Sequence, residues 1–277
     1  MSQPDPVDVG DFLAAAWDRH RKQLFENVRP LSDWLVDDVD PESSHTVLEL
    51  AAGPGETGFL VAERIEPGGK LISTDLSPAM VEAARRGAQA RGLANVEHRV
   101  MDAQEIDLSD ASVDAVVSRF GVMLTPEPDR VVSEARRVLR PGGRFAYGVW
   151  GAPDRNPWLT MFVGAVLQNG HTPEGDPFGP GGPFSLAEPA RNEELLAGAG
   201  FADVRVEEIS GEMRYDNFDN YWTVQSEVSG PVALLVQSLP DGERDAIRAS
   251  LESMVESFES GNGYTFPWLA VAASGRS

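Results

Sequence analysis

Apolar residues recur along this chain with two different spacings, and the alternation between them lays out a fold. From Asp11 to Val39, the residues Phe12, Ala16, Trp17, Leu24, Phe25, Val28, Leu31, Trp34 and Leu35 return at roughly three- and four-residue steps, which predicts helix. Pro30 cannot donate a backbone hydrogen bond and divides the stretch into two helices, while residues 1–10 read as a loose tail. Short apolar runs then alternate with helical patterns. Strands are predicted at about 46–51, 70–75, 95–101, 113–118 and 143–149. Helices are predicted near 56–66, from Ser77-Pro78 to about Arg91, and from Asp129 to Leu139. Ser77 can accept from free N–H groups at a helix start, and Pro78 suits the first helical position. PGG sequences at 67–69 and 141–143 are expected to turn a helix back into a strand.

After Trp150 the rhythm breaks. A helix is predicted at 158–169, followed by PEGDPFGPGGPF, which is too rich in proline and glycine for a helix or a central strand. This stretch, within 173–184, reads equally as a surface connection or a substrate lid. A helix at 191–199 stopped by Gly200, a strand at 203–209, helices within 216–260 and a last strand at about 264–273 complete the chain. Ile247, Leu251, Met254, Val255 and Phe258 form an apolar stripe that reads as core. Strand–helix alternation of this kind predicts an α/β fold with a mostly parallel sheet covered on both faces.

Composition narrows the function classes. The chain has 277 residues, is 42% hydrophobic and carries a net charge of −21. A basic face for nucleic acid is missing, so nucleic-acid partners are not expected. No run is long enough to span a membrane, and MSQPDPVDVGDF lacks the basic and apolar regions of a secretory signal, so a cytoplasmic protein is expected. Without cysteine there are no thiolate ligands or cysteine nucleophiles, and the four histidines (His20, His45, His98, His171) are too scattered to suggest a metal site.

The chemistry concentrates where the first strand ends. TVLELAAGPGETGFL (46–60) is an apolar run that breaks into glycines before a helix begins. Gly53, Gly55 and Gly58 satisfy GxGxxG, a weak signal by itself. Three carboxylates raise its meaning. Glu49 lies inside the first strand, where a negative charge suits a cationic ligand and not a pyrophosphate. Asp75 closes the second strand, twenty-two residues after Gly53, and its two oxygens can accept from both hydroxyls of a ribose. Asp102-Ala103 follows the third strand, where a carboxylate and an N–H suit an adenine. Each acid has an ordinary alternative: a helix cap for Asp75, a loop residue for Asp102, an ion pair with Arg119 for Glu49. Their coincidence at the carboxyl ends of three successive strands favours a ligand site.

VLELAAGPGETG, LISTDLSPAM, VMDAQEIDLSDASVDAVVSRFGVML and EARRVLRPGGRFAYGVW resemble successive motifs of the class I S-adenosylmethionine (SAM)-dependent methyltransferases, in particular the branch of quinone-biosynthesis C-methyltransferases. The resemblance is specific over about 46–150. It implies a Rossmann-like sheet of seven strands in the order 3-2-1-4-5-7-6, with strand seven antiparallel and helical cap insertions. In domain terms it implies one methyltransferase-type domain over 1–277. Residues 1–45 form an N-terminal helical cap, 46–150 the SAM-binding core, 151–190 and 211–260 a substrate cap, and 191–210 and 261–277 the rest of the sheet. It also implies that Glu49, Ala51, Gly53 and Gly55 surround the methionine part of SAM, and that Asp75 holds the ribose with Leu76 and Met80 along the adenosine. Asp102, Ala103 and Gln104 would hold the adenine, and Ser118, Arg119 and Phe120 would border the methionine and the methyl group. Trp17 and Phe25 are the residues of the first helices best suited to reach the ligand. Ala51 departs from the glycine of many relatives.

The reaction implied is in-line transfer of a methyl group from SAM to a small-molecule acceptor, leaving S-adenosylhomocysteine (SAH), with no metal required. The acceptor implied is a quinone, polyketide or other natural product, methylated on oxygen, nitrogen or carbon. No catalytic residue is assigned; His20 and His171 lie in segments that could cover the pocket. Two alternatives stay open. One is a nicotinamide-dependent oxidoreductase using the glycine turn, which leaves Glu49 unexplained and has no Tyr-xxx-Lys pair. The other is a non-catalytic SAM-binding scaffold. The resemblance is compatible with a homodimer, and no residue in the sequence demonstrates one.

Overall fold

The computed structural model describes residues 6–176 and 179–277. Two helices open it, α1 (Pro6–Asn27) and α2 (Arg29–Val39), so the described part of the expected N-terminal tail is helix. The break falls at Val28, with Pro30 inside the first turn of α2 as the missing N–H requires. The alternating core follows: β1 (Thr46–Glu49), α3 (Glu56–Arg64), β2 (Lys70–Asp75), α4 (Pro78–Arg91), β3 (Val96–Val100), β4 (Val113–Arg119), α5 (Pro128–Val138) and β5 (Leu139–Trp150). The Ser77 hydroxyl accepts from the Met80 N–H at 3.1 Å and caps α4; Gly92, at φ 73°, ends it.

The remainder comprises α6 (Pro157–Gln168), α7 (Pro189–Gly198), β6 (Ala202–Tyr215), α8 (Phe218–Val228), α9 (Gly230–Ser238), α10 (Asp241–Val255), β7 (Glu259–Ser260) and β8 (Gly263–Arg276). The sheet runs β3-β2-β1-β4-β5-β8-β6. β3 through β5 are parallel, and β8 is inserted antiparallel between β5 and β6. This is the expected order, with the last long strand taking the seventh place. β7 is an additional two-residue strand that folds back on β8.

Three boundaries differ from expectation for physical reasons. β5 starts at Leu139, because the second PGG sequence lies in the strand as an irregularity where Val113 pairs with Leu139 but Ala115 with Arg144. β6 and β8 run to fourteen residues each, since each satisfies the other's backbone along a twelve-pair antiparallel ladder. The proline- and glycine-rich stretch contains no helix or strand among its described residues, and Pro177 and Phe178 within it lie outside the described residues.

The core sits on both sides of the central strands. Val47 and Leu48, and Ala115, Val116 and Val117, are buried as consecutive residues, which a strand achieves only when both faces are covered. The same core extends into an apolar body formed by α6, α8, α9, α10 and the far ends of β6 and β8. Its centre is aromatic: Tyr221, Tyr215 and Phe266 meet with ring centroids 4.7–5.9 Å apart, and Phe162 approaches Trp222 at 6.0 Å. The turns after β1 and β2 and the end of β4 meet α1, and Trp150 at the end of β5 meets Trp158 of α6.

Candidate functional site at the carboxyl ends of the strands

The turn after β1 is braced from two directions. Asp75, at the end of β2, accepts from the Gly53 N–H at 2.8 Å through one oxygen and from the Ser77 N–H at 3.0 Å through the other. One half-buried carboxylate thus ties the glycine turn to the start of α4. Each oxygen keeps a further lone pair. Burial pushes its pKa up, against the pull of these N–H groups. Glu49 is buried at 2% exposure; it accepts from the Gly58 N–H at 2.7 Å and the Ser73 hydroxyl at 2.9 Å. Desolvation raises its pKa to about 8, more than Ser73, Gly58 and nearby Arg119 lower it.

Gly58 acquires a definite role here. A Cβ at this position would lie 2.1 Å from the Glu49 carboxylate, so the glycine makes room for the acid that its own N–H binds. Gly53 and Gly55 are required by conformation instead, at φ 54° and 89°. Ala51 shares that left-handed region at φ 49°, where a side chain costs roughly 1–2 kcal/mol. Phe120, just after β4, does so at φ 62°. Two non-glycine residues with such backbones stand at the ends of adjacent strands, where strain tends to gather in functional sites.

Arg119 closes β4. Its guanidinium lies 5.9 Å from the Phe25 ring and 5.8 Å from the Phe120 ring, and no ion pair or hydrogen bond holds it among the described residues. Burial lowers its pKa to about 10, while Glu49 and Glu56 oppose that shift. Phe120 stacks on Trp150, at the end of β5, with centroids 3.8 Å apart, and Trp150 meets Trp158 of α6 at 5.0 Å. Of the two residues proposed from the first helices, Phe25 is therefore beside Arg119. Trp17 is half-buried between the core and a small cluster of Leu13, Ala14, Met80 and Ala233. Met80 is covered by α1 in that cluster, and Leu76 is half-buried beside Asp75.

Asp102, Ala103 and Gln104 are half-buried after β3, joined to Asp75 through the Met101 N–H, which donates to its carbonyl at 2.9 Å. One Asp102 oxygen accepts from the Gln104 N–H at 2.8 Å, and the Gln104 side chain accepts from Glu127 N–H at 3.0 Å. Ser118 points inward: it is 1% exposed, and its hydroxyl donates to the Leu50 carbonyl at 3.0 Å, joining β1 to β4. His20 is 2.8 Å from Glu227 and His171 is 3.1 Å from Glu243, so each is engaged with a carboxylate.

Other residues of this region were not singled out from sequence. Arg21 of α1 donates to the Pro54 carbonyl of the glycine turn, and its Nε is 3.0 Å from Glu56. Glu56, buried at the start of α3, is also paired with Arg91. Asp11 accepts from the Ser77 hydroxyl at 2.5 Å and the Ala79 N–H at 3.2 Å. α1 is thus tied to both the β1–α3 and β2–α4 turns by side chains whose partners lie far away in sequence. Only Glu56 left a local trace, as an acid in a first helical turn. No group of three or more histidines or acids arranged to hold a metal occurs among the described residues. None of the helices is long and apolar enough to cross a membrane among the described residues.

Residues 47–143 match a family model described as a methyltransferase domain. Nocamycin O-methyltransferase of Saccharothrix syringae is 33% identical over 162 residues, covering 57% of each chain. A ubiquinone/menaquinone biosynthesis C-methyltransferase of Acidiphilium cryptum is 38% identical over 110 residues, 39% of this chain and 43% of that one. The chain matches about half the length of these two relatives, and less of some others. The crystal structure of the [4+2]-cyclase SpnF superposes with a TM-score of 0.56 over 97% of this chain and 96% of that one, at 16% identity, which speaks for the fold. The methyltransferase-domain match over residues 47–143, the quinone-methyltransferase relative and the strand order agree with the resemblance to class I SAM-dependent methyltransferases.

Proposed function

We propose that the chain transfers a methyl group from SAM to a small-molecule acceptor. The observation that carries this reading is the pairing of Glu49 and Asp75 at the ends of adjacent strands, both fastened to the β1–α3 segment through Gly58 and Gly53. Asp75 has lone pairs free for a ribose. Glu49 offers negative charge beneath a cation. Arg119, without a hydrogen-bonding partner among the described residues, offers a counter-charge to the carboxylate of a zwitterionic methionine end. Leu76, Met80, Asp102, Ala103 and Gln104 extend the site toward an adenosine, and Ala51, Gly53, Gly55 and Phe120 border its other end. These groups fit the donor in charge and in kind.

A bound sulfonium supplies a methyl group already activated for in-line displacement. The chain's own work is alignment and exclusion of water. α1 covers the donor side, and the aromatic body of α6 and α8–α10, with residues 151–190, forms the acceptor cap. Phe120, half-buried and stacked on the buried Trp150, which in turn meets the buried Trp158, keeps ring surface that suits a flat apolar acceptor. The nocamycin enzyme and the quinone-biosynthesis relative support an acceptor of the polyketide or quinone type. The fold likeness to a cyclase supports testing turnover separately from binding.

Calorimetry tests the donor: SAM and SAH bind at micromolar strength and NAD does not. NAD binding without SAM binding would overturn the proposal. A methyl-release assay over phenols, quinones and amines then separates an enzyme from a scaffold.

A further inference from the structure

Ala51 and Gly121 are exchanged relative to what their backbones ask for. Ala51 sits at φ 49°, a conformation that suits glycine, whereas Gly121 sits at φ −90°, which any residue adopts. Gly121 is there for space. A Cβ on it would fall 2.4 Å from the Ala51 methyl and 2.8 Å from the Ser118 hydroxyl. The Ala51 methyl is fixed to its backbone and has no rotamer by which to withdraw, so the two turns cannot both carry a methyl at this separation.

Both turns matter to the site. Ala51 belongs to the turn after β1 that includes Gly53. Gly121 directly follows Arg119 and Phe120, and Phe120 is fixed by its N–H to the Gly148 carbonyl at 2.7 Å and by its stack on Trp150. The turns are also stitched by the Leu50 N–H to the Val117 carbonyl at 2.9 Å and by Ser118 to Leu50 at 3.0 Å. A displacement at Gly121 therefore has two outlets: the donor turn, or the segment carrying Arg119 and Phe120.

We infer that Ala51 and Gly121 form a size-matched lock between the donor turn and the turn that carries Arg119 and Phe120, with Gly121 as a positioning residue for the methyl-transfer site. The inference builds on the proposed donor site. The lock accounts for a strained alanine in place of glycine: the methyl sets how closely the two turns approach. Methyl transfer depends on that distance, since a misplacement of about 1 Å can cost on the order of 100-fold in rate.

The test is a cycle of four full-length proteins: wild type, Ala51→Gly, Gly121→Ala and the double variant. Each is measured for thermal midpoint with and without SAH, for SAH affinity by calorimetry, and for the near-ultraviolet tryptophan bands that report the Phe120–Trp150 stack. Gly121→Ala in the wild-type background is expected to weaken SAH binding about tenfold or more and to alter the tryptophan bands. In the Ala51→Gly background, where only the contact with the rotatable Ser118 hydroxyl remains, the same change is expected to cost less than about threefold and leave the bands near their wild-type shape. Equal penalties in both backgrounds would overturn the lock. A loss of midpoint with an unchanged SAH-induced shift would reduce Gly121 to a packing residue and overturn its positioning role. Failure of wild type to bind SAH would instead overturn the proposed donor, and the thermal midpoints would still decide whether the lock exists.

Discussion

Along one edge of a single sheet, two neighbourhoods of opposite chemistry stand side by side. The ends of β1, β2 and β3 carry carboxylates: Glu49, Asp75 and Asp102. The ends of β4 and β5 carry a guanidinium and aromatic rings: Arg119, Phe120 and Trp150. The acids are held by backbone N–H groups of nearby turns, Gly58 to Glu49, Gly53 and Ser77 to Asp75, Gln104 to Asp102. The cation and rings are held by side chains from elsewhere in the fold, Phe25 from α1 and Trp158 from α6. The acidic side is thus rigid by local construction and suits a ligand of fixed structure, while the aromatic side depends on whichever cap packs over it. That is the division expected if the proposed methyl donor binds the acidic side and the acceptor binds under the cap.

The comparison can be broken most decisively at Asp75. Asp75→Ala removes the proposed ribose acceptor and releases two N–H groups, and is expected to weaken SAM and SAH binding by about 100-fold or more. Calorimetric affinity within threefold of wild type would detach the end of β2 from the donor site. A smaller effect is expected across the boundary. Arg119→Gln should cost SAH roughly 10–30-fold, as the loss of one charged hydrogen-bonding partner, while binding of methylthioadenosine, which has no carboxylate, stays constant. Equal losses for both ligands would make Arg119 a structural counter-charge to Glu49 and Glu56.

The pH dependence sharpens the acidic side. Glu49 has a folded pKa of about 8 against an ordinary value of 4.5, so the empty folded protein holds a proton there that the unfolded chain has lost. The contribution of Glu49 to stability therefore falls as pH rises from about 4.5 to 8. A cationic donor favours the ionised carboxylate, so SAM affinity should rise about tenfold between pH 6 and 8.5, with proton release to the buffer. Glu49→Gln should flatten that rise; an unchanged slope would place the cation elsewhere. The smallest effect belongs to the cap. The Tyr221 hydroxyl donates to the Trp158 carbonyl at 2.7 Å. Tyr221→Phe should cost about 1 kcal/mol, a fall of roughly 2–4 °C in midpoint, with SAH affinity within twofold. A matching loss of SAH affinity would show that the cap and the donor site are coupled.

Legibility in the sequence followed the same divide. Glu49, Gly53, Asp75 and the Ser77-Pro78 helix start could be read because their partners are a few residues or one strand away. The seven-strand order followed from the motif resemblance, and β7 escaped because two residues carry no period. Arg21, Asp11 and Glu56 were invisible as a group, since a charged residue on a helix does not announce its partner on another element. Gly121 was in plain view within RFGVML, but an unstrained glycine gains meaning only when the methyl of Ala51 is found facing it.

By itself, the sequence determined the alternating sheet, the acids at three strand ends and the glycines between them, because strand period, turn conformation and helix capping are short-range effects. Only the tertiary structure decided that Gly58 makes room for Glu49, that Arg119 lies between Phe25 and Phe120, and that Ala51 and Gly121 share one methyl's worth of space. Those facts depend on distances between segments that the chain brings together only by folding, and excluded volume acts at those distances.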